Sequence, residues 1–197
     1  MKHFLICVGI FLNLFTFGHA QSADQARKSD EVVAKMRQID LLVQIIPLAL
    51  TKDQLDKLLP AVERARAKVR QIEKEEADTL AKLDSKVTDA VNKAIETSVA
   101  PPKALLDELA SATQTMADKR QTAIEDNTDL VIKVFNDVCN AGQKAAAANS
   151  LAPQMFDPNL KPDKMTQAEK IRFFIQQILL DPQAYDVMLR LEKHTSG

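Results

Sequence analysis

Apolar side chains return every three or four residues through almost all of the interior of this 197-residue chain, and the two-residue alternation of a half-buried strand is missing. Ala, Leu, Lys, Gln and Glu, all good helix formers, dominate the same segments. The pattern predicts an all-α fold. Val32, Val33, Met36, Ile39, Leu42, Val43 and Ile46 make one stripe on a helix from about Asp30 that Pro47 should end. Leu50-Thr51-Lys52-Asp53-Gln54 then reads as a helix start: the Thr51 side chain can cap the first turn while Gln54 reaches back to the Thr51 amide. Pro60 should close a short helix at Leu59 and bring a kink or a restart.

From Ala61 to Thr97 no helix breaker occurs, and Val62, Val69, Ile72, Leu80, Leu83, Val87, Val91 and Ile95 form a second stripe. Past Pro101-Pro102 a third follows, with Leu105, Leu109, Met116, Ile124, Val131, Phe135 and Val138. A reversal at the two prolines makes a long antiparallel helical hairpin, each arm about 55 Å long at 1.5 Å per residue. Partners should then have numbers summing to about 200, such as Ile95 with Leu105, Leu83 with Met116 and Val69 with Val131. Charged residues crowd the middle of both arms, leaving Ile72, Ala77, Ala123 and Ile124 to hold it, too little apolar surface for two helices to close alone.

After Val138, Cys139-Asn140-Ala141-Gly142-Gln143 repeats the spacing of residues 50–54 and should start a short Ala-rich helix to Ala148. Residues 149–164 hold Pro153, Pro158 and Pro162 and read as a linker. Residues 165–193 read as a helical pair, opened by a third capping box at Thr166 to Glu169 and by Asp181-Pro182. The N-terminal helix and this pair should form a small helical base for the hairpin, so that residues 21–148 and 165–193 share one core.

Residues 1–20 have a basic start at Lys2, an apolar run from Phe4 to Phe17 and Gly18-His19-Ala20. This is the pattern of a secretory signal peptide with cleavage after Ala20, and the run is shorter than a membrane span needs. Export would leave a periplasmic or secreted protein that meets the membrane only in passing. Its removal takes Lys2 from 26 bases and none of 27 acids, so bulk charge does not select a partner and nucleic acid is not expected. Beyond residue 20 there remain two glycines, one histidine (His194) and one cysteine (Cys139). That composition argues against phosphate-cradling glycine loops, His-based triads and metal cages, and no cofactor is expected.

The Leu-Thr-x-x-Gln box at Leu50, Thr51 and Gln54, its degenerate copy at Asn140 and Gln143, the hairpin and the leader together resemble the LTXXQ-motif family of periplasmic proteins, the Spy and CpxP type. The resemblance covers about residues 45–146. It implies a helical, often dimeric, ATP-independent chaperone or envelope-stress modulator; the histidines of metal-responsive members are missing here.

Catalysis has poor candidates. Cys139 and the near-terminal His194 are far apart in sequence and lack an evident orienting third group, so no enzyme is expected. Arg64, Arg66, Lys68 and Arg70 spread around a helix and read as a solvated face. The expected function is binding of unfolded or partly folded proteins through an incompletely covered stripe of Ile72, Leu80, Leu83, Met116 and Ile124. The alternative is a structural or regulatory coiled-coil-like partner of an envelope or membrane sensor protein, without chaperone activity, and either could be a homodimer.

Overall fold

The computed structural model of the chain describes residues 23–195, and every regular element among them is helical. The expected leader and its cleavage point lie outside the described residues. The elements are α1 (Ala23–Ile45), a 3₁₀ turn (Ile46–Leu48), α2 (Lys52–Thr97), α3 (Lys103–Val138), α4 (Ala141–Ser150), α5 (Gln167–Phe174), a π-helical turn (Ile175–Leu179) and α6 (Ala184–His194). Two three-residue 3₁₀ turns, Pro153–Met155 and Pro162–Lys164, punctuate the segment between α4 and α5, each opened by its proline. No helix among the described residues is long and apolar enough to cross a membrane.

One core joins the end of α1, the start of α2, the end of α3, α4, α5, the π turn and α6. Leu41, Leu55, Leu58, Val131, Phe135, Phe174, Ile178 and Met188 are fully buried in it, and the Phe135 and Phe174 rings lie 6.4 Å apart. Removing a side chain of this kind, as in Phe135→Ala, typically costs about 3–5 kcal/mol. Arg37 ties α1 across to the π turn, donating from Nε to Asp181 Oδ2 at 2.8 Å and from Nη2 to the Gln177 carbonyl at 3.1 Å. That carbonyl is open because the π-turn position that would donate to it is Pro182, which has no N–H.

Three local expectations are corrected. α2 runs unbroken through Pro60. The carbonyl that Pro60 deprives of a donor belongs to Asp56, an exposed residue where water can serve, while Leu55, Leu58, Leu59, Ala61 and Val62 anchor both sides in the core. α1 turns a different face inward than its wide stripe suggested: Leu41, Ile45 and then Leu48 are buried, whereas Val32, Val33, Met36, Ile39, Val43 and Ile46 are exposed. The polar ties of Arg37, and of Gln38 with Arg190, fix that rotation. Finally, Asp181 caps the turn before α6, accepting from the Gln183 N–H, and the helix proper begins at Ala184.

The two long helices pack together and run antiparallel. Going outward along α2, Ala65, Lys68, Glu76 and Lys86 meet Asn127, Asp126, Arg120 and Glu108 on α3. This register is about one helical turn away from the one expected, so Leu83 lies level with Ala112 instead of Met116. Accordingly α2 overshoots the start of α3 by about a turn, and the chain returns through left-handed Ser98 (φ 55°) and the extended run to Pro102.

In a Cys139→Ser background, Leu83→Cys with Ala112→Cys should close an intrachain disulfide under mild oxidation, because bridged Cα atoms must approach to about 5.5–6 Å. Leu83→Cys with Met116→Cys should close far more slowly. Non-reducing gel mobility reads the difference, and the reverse order would disprove the register.

Candidate functional site

Both sequence boxes are formed, and they are bonded to each other. Thr51 Oγ1 accepts from the Gln54 N–H at 3.3 Å, and Gln54 Oε1 accepts from the Thr51 N–H at 3.0 Å. Asn140 Oδ1 and Gln143 Oε1 accept from the Gln143 and Asn140 N–H groups at 3.0 and 2.9 Å. The two glutamine amides then pair: Gln54 Nε2 donates to Gln143 Oε1, and Gln143 Nε2 to Gln54 Oε1, each at 2.9 Å. Their second N–H groups go to the carbonyls two residues before each cap, Gln54 to Val138 at the end of α3 at 2.7 Å and Gln143 to Ala49 at 3.3 Å. Every donor and acceptor of both amides is used, with local two-fold symmetry.

Only a neutral amide can fill this role, since each side chain must donate twice and accept twice. A glutamate at either place would lack the donors and leave the Val138 or Ala49 carbonyl without a partner. The third box shows the contrast. Thr166 and Glu169 cap α5 in the same way but stand alone at the surface, and there a carboxylate serves. The Thr166 amide and hydroxyl hold Glu169 below the usual carboxylate range. The residue before each linked box is apolar and buried, Leu50 in one and Cys139 in the other.

Beyond this junction the arms form a layer two helices wide. On α2 the line facing α3 runs through Ala65, Ile72, Glu76, Thr79, Leu83, Ala90 and Ala94; on α3 the matching line is Leu105, Leu109, Ala112, Met116, Ala123 and Asn127, all buried or half-buried. Many of these are small or polar. Glu76, 5% exposed, is held by Arg120 through two bonds of 2.6 and 2.5 Å, and that guanidinium keeps its carboxyl below the ordinary range.

Besides Ile72, Leu83, Leu105, Leu109 and Met116 in the seam, further large apolar residues sit one position later. Leu80, Val91 and Ile95 follow Thr79, Ala90 and Ala94, and Leu106 and Ile124 follow Leu105 and Ala123; all five are exposed. One residue turns an α-helix by 100°. In an antiparallel pair, one step along either chain away from the seam rotates toward the same side of the layer. Leu80, Val91, Ile95, Leu106 and Ile124 therefore share one face. The opposite face carries the preceding residues and is polar: the ion pairs Lys68–Asp126 and Lys86–Glu108 bridge it, and Thr115, Asp118 and Thr122 line a shallow depression there.

The stripe expected from sequence is accordingly divided. Leu80 and Ile124 are exposed, and Ile72 and Met116 are half-buried. Leu83 is corrected: it is 8% exposed, packed in the seam, and offers no surface. Val91, Ile95 and Leu106 were missed as surface residues because the stripe was drawn through the largest apolar side chains, whereas alanine and threonine occupy the seam. Of the basic stretch, Arg66 and Arg70 pair with Glu63, Lys68 with Asp126, and Arg66 also lies over the Tyr185 ring at 4.6 Å.

Among the described residues no group of three or more His, Cys, Asp or Glu side chains is placed to hold a metal. Cys139 is buried in the base core, and His194 is exposed on the last turn of α6. Burial pushes the Cys139 thiol up to about 11 from an ordinary 9.0, with Lys144 pulling weakly against it. No family model, no curated protein and no solved structure matches the chain.

Gln54→Ala and Gln143→Ala should each lower stability by about 2–3 kcal/mol, since each strips hydrogen bonds from a cap and a loop carbonyl. The double variant should lose less than the combined single losses by about 1–2 kcal/mol, measured by denaturant unfolding; additive losses would mean the amides do not act as a pair. Alkylation of Cys139 by iodoacetamide in the native protein should be slow at pH 8 and climb only toward pH 11. Because the fold holds a proton that the unfolded chain releases sooner, the Cys139 contribution to stability is in place below about pH 9 and is lost as pH rises toward 11.

Proposed function

We propose that the protein is an exported, non-enzymatic binding protein of the LTXXQ type, an ATP-independent holdase for partly unfolded clients in the bacterial envelope. In this reading the base and its linked boxes carry a projecting helical hairpin, and the apolar face of the hairpin takes the client. The observation that carries it is the grouping of five large exposed apolar side chains on one face of the layer, where Glu73, Asp84 and Arg120 also lie, while the ion pairs Lys68–Asp126 and Lys86–Glu108 bridge the other face. Exposed apolar area of this kind, displaced from a seam filled by smaller residues, supports an interaction surface over a leftover of folding. The leader over residues 1–20 supplies the expectation of export, and the two boxes supply the resemblance.

The test is suppression of aggregation of a reduced or heated client by the purified protein. Leu80→Lys with Ile124→Lys should keep its helix content, because both side chains are about half-exposed (54% and 48%), and should lose suppression. Thr115→Lys with Thr122→Lys, adding the same charge to the polar face, should retain it. Equal loss in both variants would remove the role of the apolar face. No suppression by the wild type would exclude the holdase and favour a regulatory partner of an envelope sensor.

A further inference from the structure

The apolar face of the arms is lopsided in charge. Glu73 follows Ile72 and Asp84 follows Leu83, so at 100° per residue both carboxylates stand exposed beside Leu80 and Val91 on that face. Neither has an ionic partner among the described residues. Arg120 is on the same face, yet it gives its bonds to Glu76 in the seam, and Glu73 lies within its electrostatic reach. One guanidinium therefore answers two carboxylates. Asp84 has no cation opposite, since Ala110 and Thr113 stand level with it on α3.

The polar face is built the other way. There Asp126, Glu75 and Glu108 each meet a lysine of the facing helix, Lys68, Lys119 and Lys86. Neutralisation across the seam is thus present on one side of the layer and omitted on the other, where an occupant can supply it. Glu73 and Asp84 are eleven residues apart, about 16 Å along α2, with Leu80 between them and Val91 beyond. About five residues of an extended chain cover that distance. Lysine and arginine suit such a surface, because their methylene stems lie along aliphatic side chains while the charged head reaches a carboxylate. An anionic lipid surface would be repelled by the same two groups.

Granted that this face is the client surface, we infer that it selects by charge: it takes aliphatic stretches that carry lysine or arginine and turns away those that carry aspartate or glutamate. Apolar contact supplies the hold and is indifferent to sequence, whereas Glu73 and Asp84 set the preference and speed encounter. Because both carboxylates are exposed, the preference is modest and is screened by salt.

Two fluorescently labelled, unstructured peptides of about twelve residues serve as probes, alike in leucine content, one with a pair of lysines and the other with a pair of glutamates about five positions apart. By fluorescence anisotropy at low salt the lysine peptide should bind about three- to tenfold more tightly, and the difference should fade at about 0.5 M salt. Glu73→Gln with Asp84→Asn should erase the preference, and Glu73→Lys with Asp84→Lys should reverse it, both at unchanged helix content. Asp89→Asn with Asp118→Asn removes the same charge from the polar face and should leave the preference intact. Equal binding of the two peptides by the wild type, or a preference that survives Glu73→Gln/Asp84→Asn, would overturn the inference; the holdase reading would stand wherever aggregation is still suppressed. Binding of neither peptide would overturn it too, including where phosphatidylglycerol vesicles or a second copy occupy the face. Only absence of suppression by the wild type as well would take the holdase reading with it.

Discussion

The reciprocal amide pair between Gln54 and Gln143 stands where four stretches of chain meet: the left-handed turn at Ala49, the start of α2, the end of α3 and the start of α4. Helix starts and loop carbonyls carry polar groups that the helices themselves cannot satisfy. Here two cap amides and two carbonyls are satisfied by two glutamine side chains that also bond each other, six hydrogen bonds with no charge to desolvate. Because the pair fixes the first turn of α2 against the last turn of α3, the register of the whole layer is counted outward from it. Asn127 binds the Ala65 carbonyl, Asp126 meets Lys68, Arg120 meets Glu76 and Glu108 meets Lys86 in steady succession.

This direction of counting explains what could be read from the chain and what could not. Capping boxes are local, three residues from cap to reply, and all three were legible as Thr or Asn followed by Gln or Glu. That two of them bind each other also had a signal: the linked pair carry glutamine and the lone one glutamate. The register had none. Counting began at Pro101-Pro102, as though the far turn set the alignment, but the far turn only absorbs what the base leaves over, and α2 extends past the start of α3 by about a turn. Pro60 was misread for a related reason. A proline ends a helix when its freed carbonyl has nowhere to go, and the Asp56 carbonyl is at the surface of a segment held by buried Leu55, Leu58 and Val62.

The seam was misread more instructively. Hydrophobic periodicity assumes that the largest apolar residues mark the buried line, yet on α3 the line passes through Ala112, Ala123 and Asn127, and on α2 through Ala65, Glu76 and Thr79. Small residues let helix backbones approach closely, and the bidentate Glu76–Arg120 pair closes the stretch where apolar packing is thinnest. The large residues are then displaced to one side in both helices at once, because the helices are antiparallel. A two-helix layer built this way has its cohesion in the seam and in the ion pairs of its polar side, so its apolar side can stay bare without the helices unwinding.

The exposed apolar residues of α1 and those of the arms differ in their spacing. Along α1 they recur at regular intervals of four, three and four from Val32 to Val43. On the arms the apolar residues are spaced irregularly, eleven apart from Leu80 to Val91, four to Ile95 and eighteen from Leu106 to Ile124, with Asp84, Thr113, Ala117 and Arg120 between them. No single helix meets such a surface with knobs in holes, whereas a chain without fixed structure can touch it in many ways, each weak.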